Sequence, residues 1–185
     1  MLLWTIIIVL SVALDFITKR LVAGGMELYE RIPVIKGVFE LEYIRNEGAA
    51  WGILSNHRWV FMVITAVAII VLPILLYKYR KLHFLFGFSL SLIIGGAIGN
   101  MIDRVFLGYV IDFIYLPFLN FIFGPGGFPR FNIADCCAVV GVILMFIYLV
   151  NVINGMAGGR IVGIVFFLCV TFAGVSSIIN LYEAP

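Results

Sequence analysis

The sequence predicts an all-α polytopic membrane protein: a four-helix transmembrane core, a small sheet at one membrane face and a fifth, C-terminal apolar run long enough to span. Three observations carry this. Hydrophobic residues make up 64% of the 185-residue chain and charged residues only 12%, and mean hydropathy is +1.18. The apolar residues are gathered into runs matching the about 20 helical residues that cross ~30 Å of hydrocarbon. Lipid offers backbone groups no partner, so such runs must be helical. A net charge of +2 is too small to suggest a nucleic-acid partner, and none is expected.

The first span is about 2–18. It lacks the basic leader and the small-residue cleavage site of a secretory signal, so it is expected to be retained. Residues 20–58 are polar, with five basic residues and five glutamates. Within them, Ile32 to Tyr43 holds β-branched and aromatic residues in partial alternation, with a turn at Gly37. That pattern predicts a short sheet on the membrane surface. The second and third spans are about 59–77 and 84–102, joined by Lys78-Tyr79-Arg80-Lys81. Three basic residues in so tight a loop place it in the cytoplasm. The N-terminus is then inside, and residues 20–58 and 104–131 lie outside. A fourth span, about 134–152, returns inward, and the fifth run, 161–179, is long enough to cross again.

Metal and nucleophile chemistry find little support. Cys136, Cys137 and Cys169 lie in apolar runs, and adjacent cysteines lack the usual spacing of a zinc site. His57 and His83 are far apart in sequence, so no metal is expected. No serine sits in a nucleophile-elbow context.

The carboxylates are more informative. The chain has four aspartates, Asp15, Asp103, Asp112 and Asp135, and this topology puts all four at or near outer helix ends. Acids inside a span cost about 2.5–3.5 kcal/mol on insertion scales, so a shared depth invites a functional reading; helix ends that simply meet water are the plainer one. Gly95 and Gly99 make a small-residue face for close helix packing. Asn100, Asp103 and Arg104 fall on one side of the same helix, where a buried arginine needs a carboxylate partner. Asp103 is read here as part of a structural polar clamp. Asp15 and Lys19 are spaced for an ordinary helix ion pair.

Asp112 stands within the apolar strip Val110-Ile111-Asp112-Phe113, and Phe131-Asn132-Ile133-Ala134-Asp135 opens the fourth span. Asn132 is placed to cap that helix, with Asp135 three positions on, as in a capping box. Capping explains Asp135 but not an Asp112 facing it. Two carboxylates brought together cannot easily both ionise. One can take a proton from water while the other, protonated, polarises a carbonyl, which is sufficient for peptide hydrolysis without a metal.

Together these segments resemble the lipoprotein signal peptidase (signal peptidase II) family. The motifs are Asp15 with Lys19; Arg45-Asn46-Glu47-Gly48-Ala49-Ala50-Trp51-Gly52; Gly95 to Asn100 with Asp103-Arg104; Val110-Ile111-Asp112-Phe113; and Phe131 to Asp135. The resemblance implies four membrane helices with a small periplasmic β-cradle over residues 1–153, leaving 154–185 as an extension. It implies an aspartic endopeptidase that cleaves before the diacylglyceryl-modified cysteine of a prolipoprotein, without a cofactor. Asp112 and Asp135 match the catalytic pair. Asp15, Lys19, Asn46, Gly48, Asn100, Asp103, Arg104 and Asn132 match binding or supporting positions. The expected setting is the bacterial inner membrane, in contact with lipid, as a monomer with its site near the periplasmic face. Trp51 replaces a more usual phenylalanine, the 114–130 link is long, and the fifth run lies outside the four-span plan. The rival reading is an ion- or proton-coupled transporter, which predicts acids at mid-bilayer and an internal repeat.

Overall fold

The computed structural model describes residues 1–47, 58–123 and 127–155. Gly48 and the apolar run 161–179 lie outside the described residues. Among the described residues, four helices are long and apolar enough to cross a membrane: α1 (Leu2–Gly25), α2 (Arg58–Tyr79), α3 (Phe84–Phe106) and α5 (Ile133–Asn154). The four spans expected for the core are present, each somewhat longer than the apolar run alone. Helix α1 continues through Lys19 and Arg20 to Gly25 because its last turns are buried against other protein, where polar side chains find partners; Asp15, Lys19 and Val22 are buried. The surface segment therefore begins after Gly25 rather than at residue 20. Asp103 likewise lies inside the last turn of α3, not beyond it.

Helix α3 is the centre of the bundle and packs against α1, α2 and α5. Its small residues allow this. A methyl group at Gly95 would stand 2.7 Å from the Ser11 side chain of α1, and one at Gly96 would collide with the Ala134 carbonyl of α5. Backbones approaching this closely gain dispersion contacts that lipid cannot replace. The outward faces carry Val9, Leu10, Ile64, Ile70, Val139 and Ile143, all exposed, as hydrocarbon contact requires. Away from the sheet, Trp4, Leu76, Leu90 and Ile94 form one buried cluster.

The sheet has three antiparallel strands in the order β1 (Arg31–Ile35), β2 (Phe39–Asn46), β3 (Val110–Tyr115). Gly37, at φ +76°, makes the expected β1–β2 turn. The third strand comes from the link between α3 and α5, pairing Ile44 with Asp112 and Asn46 with Val110. Val22 of α1, Tyr43 of β2, and Ile111 and Phe113 of β3 form a second buried cluster that seats the sheet on the bundle. Beyond β3 the link makes a 3₁₀ turn (Pro117–Leu119) and the short α4 (Asn120–Phe123), then returns so that Phe131 bridges Ile114.

Candidate active site

Asp112 and Asp135 reach the site from different elements, and Asn132 joins them. Asn132 is the N-cap of α5, and with Asp135 it forms the capping box read from the sequence. Its side-chain oxygen accepts from the Asp135 N–H at 2.9 Å, and its own N–H donates to Asp135 Oδ2 at 3.1 Å. Its amide nitrogen donates to Asp112 Oδ1 at 2.6 Å. One fully buried side chain thus fixes the β3 carboxylate against the helix that carries the other. Asn46 of β2 donates to the remaining Asp112 oxygen at 2.9 Å. Asn100 of α3 donates to Asp135 Oδ1 at 2.7 Å.

Beneath this pair, two further carboxylates hold the backbones that bear it. Asp15 Oδ1 accepts from the Ala134 N–H at 2.8 Å, so a residue of α1 satisfies an orphan donor at the N-terminus of α5. Asp103 Oδ2 accepts from the Ile111 N–H at 3.2 Å, tying β3 to α3 immediately before Asp112. Lys19 links both brackets. Its fully buried ammonium lies 2.8 Å from Asp15 and 3.2 Å from Asp103, and it donates to Asn100 Oδ1 at 2.9 Å. What spacing alone read as a helix ion pair is the hub of a four-element network. Gly99 permits it, since a methyl group there would lie 2.7 Å from Asp15 Oδ2.

Asp112 is 1% exposed. Burial, and after it the negative charge of Asp135, pushes its carboxyl up from 3.8 to about 7, against the opposing hydrogen bonds from Asn46 and Asn132. The pair therefore holds a proton near neutral pH.

Arg104 is half-buried and differs from its expectation: it makes no ion pair with any described carboxylate. The partner role falls to Arg20, which sequence reasoning missed and which pairs with Asp103 at 2.7 Å. Arg104 instead faces the charges of Asp135, Asp112 and Asp103. It lines a cleft of about 240 Å³ with Asn46, Glu47, Met62, Val105 and Gly108. With one proton on the pair, three carboxylate charges are matched by three cations, the buried Lys19 and the half-buried Arg20 and Arg104. Also missed was Glu42, which is buried and paired with Arg31 at 2.9 Å and Arg130 at 2.7 Å; its place in an alternating strand hid the burial.

The profile of the signal peptidase (SPase) II family matches residues 7–151. A lipoprotein signal peptidase of Symbiobacterium thermophilum is 41% identical over 147 residues, covering 80% of this chain and 93% of that protein. Two solved structures, each described as a bacterial membrane enzyme, superpose with TM-scores of 0.70 and 0.66 at 37% and 40% identity. They cover 80% and 79% of this chain, and 87% and 91% of theirs. The chain belongs to the signal peptidase II family.

Proposed function

We propose that this protein removes signal peptides from diacylglyceryl-modified prolipoproteins, with Asp112 and Asp135 as its catalytic pair. The observation that carries the assignment is the pair itself: two carboxylates from β3 and α5, joined by Asn132 beside a cleft. Family membership sets aside the transporter reading.

The chemistry follows from the proton that the pair holds. Asp135 takes a proton from water, and the hydroxyl attacks the scissile carbonyl carbon. Asp112 donates its proton to the carbonyl oxygen, which would otherwise carry the full charge of the tetrahedral intermediate. Collapse of that intermediate breaks the C–N bond: Asp112 takes back a proton from a hydroxyl of the gem-diol as the carbonyl re-forms, and the proton taken by Asp135 passes to the departing amine. Arg104, facing the cleft, supplies positive charge on the side from which substrate approaches. Asn46, Asn100 and Asn132 keep the carboxylates in register. Asp15, Lys19 and Asp103 hold the backbones.

Substrate access follows from where the cleft opens. Val105 at its rim and the neighbouring Phe106 are exposed apolar side chains at the end of a membrane helix. A lipid-bearing cysteine approaches such a site through the bilayer, each acyl CH₂ contributing ~0.8 kcal/mol on burial. In this reading the protein is a monomer of the bacterial inner membrane, with the sheet-bearing end at the periplasmic face. Residues 1–153 form the peptidase unit. The purified protein should cleave a diacylglyceryl-modified precursor peptide with a kcat/KM about a hundredfold above the unmodified peptide, since each tenfold needs only ~1.4 kcal/mol. Equal cleavage of both would contradict recognition through the lipid.

A further inference from the structure

The backbone between Asp112 and Asp135 is held at a second place, away from the carboxylates. Glu42 of β2 accepts at its Oε2 from Arg31 of β1 at 2.9 Å, and from both Nε and Nη2 of Arg130 at 2.7 Å. Both guanidinium groups lie over the ring of Tyr115, at 4.7 Å for Arg31 and 4.1 Å for Arg130. Tyr115 is buried, and its hydroxyl accepts from Asn120 at 2.6 Å. The Asn120 side-chain oxygen, Oδ1, accepts in turn from the Phe128 N–H at 3.3 Å. Gly127, at φ +70°, closes the circuit; a methyl group there would stand 2.7 Å from Asn120 Oδ1 and 3.3 Å from the Tyr115 hydroxyl.

Each end of the link is therefore gripped. Tyr115 ends the strand carrying Asp112, and Arg130 precedes the Phe131–Ile114 bridge and the cap of the helix carrying Asp135. A long connection does not by itself fix the distance between its ends, and its closure costs entropy that grows with length. A charge-assisted contact with one buried glutamate, together with two cation–π contacts, defines that geometry.

We propose that Glu42, Arg130 and Tyr115 are positioning residues for the catalytic pair: they lock the β3 end to the α5 approach and so set the spacing of Asp112 and Asp135. This rests on the assignment of those two aspartates as catalytic. The mechanism is geometric, because a misplacement of about 1 Å at the reacting groups can cost a hundredfold in rate.

The test is steady-state cleavage of a lipid-modified precursor by the purified full-length chain. Arg130→Ala, Glu42→Ala, their double variant and Arg130→Lys are compared, with kcat normalised to the folded fraction. Arg130→Ala should lower kcat about ten- to a hundredfold with KM within about twofold. The double variant should be little worse than either single one, and Arg130→Lys, which keeps the charge but not the two-nitrogen contact, should recover only part of the loss. The alkaline limb of the pH–kcat profile should also shift, which general loss of stability does not cause. Wild-type kcat in both single variants, or a change confined to KM, would overturn the proposal. Should Arg130→Ala fail to insert, Glu42→Gln must show the same split, and wild-type kcat there would be equally decisive. Asp112→Asn and Asp135→Asn run alongside. If they are inactive while Arg130→Ala and Glu42→Ala are normal, only this inference fails; if they are active, the catalytic assignment fails with it.

Discussion

Replacing Lys19 with methionine should cost the fold about 3–5 kcal/mol and remove activity with it. The ammonium is completely buried between Asp15 and Asp103, and removing one partner leaves carboxylates buried without their counter-ion. The damage would also be local, because Asp15 holds the start of α5 and Asp103 holds β3. Neutralising Asp15 in the same chain, as Lys19→Met with Asp15→Asn, should recover part of the loss, since contacting charges couple. Thermal melting in detergent measures both variants. A Lys19→Met protein within about 1 kcal/mol of wild type would show that the hub contributes far less than such buried pairs usually do.

Asp112→Asn and Asp135→Asn should each lower the cleavage rate by at least about 10²–10⁴-fold, the usual contribution of a general acid or base. Asparagine nearly preserves shape, and the α5 cap keeps its Asn132 side, so the variants should still insert and melt close to wild type. Because the two groups share one chemical step, the double substitution should be hardly slower than either alone. Asp103→Asn provides the contrast. Asp103 meets Lys19, Arg20 and the Ile111 N–H, not the reacting atoms, so its loss should act through stability and leave measurable turnover. Comparable turnover by all three variants would place catalysis elsewhere.

The membrane helices were legible because hydrocarbon imposes one rule on every residue that crosses it. The capping of α5 by Asn132 and Asp135 was legible because it is local, set by a three-residue spacing. The turn at Gly37 was legible for the same reason. Harder to see was the role of Lys19. Its spacing to Asp15 gave an ion pair, but its contacts with Asn100 and Asp103 depend on how α1 packs against α3. Arg20 escaped notice because it follows Lys19 at what hydropathy marks as the end of a span, where a cation usually meets water. Arg104 was expected to be the cation that pairs with a carboxylate, and the fold gives that task to Arg20. The sequence shows Val110 to Phe113 only as an apolar strip; that it forms the third strand, Val110–Tyr115, depends on pairing with a β2 far away in sequence. Glu42 and Arg130 meet only because that pairing and the return of the link coincide.

The measurement that tests the central claim most directly is the pH dependence of kcat/KM on a lipid-modified precursor. Asp112 is raised to about 7 by burial and by the charge of Asp135. A raised carboxyl keeps its proton below that value and loses it above. The mechanism needs one proton on the pair, so activity should fall about tenfold per pH unit on the alkaline side of an apparent pKa near 7, a value belonging to the pair rather than to either residue. A rate that rises steadily through pH 9 would mean that the catalyst is a group activated by losing its proton there, and would contradict a carboxylate pair sharing one proton.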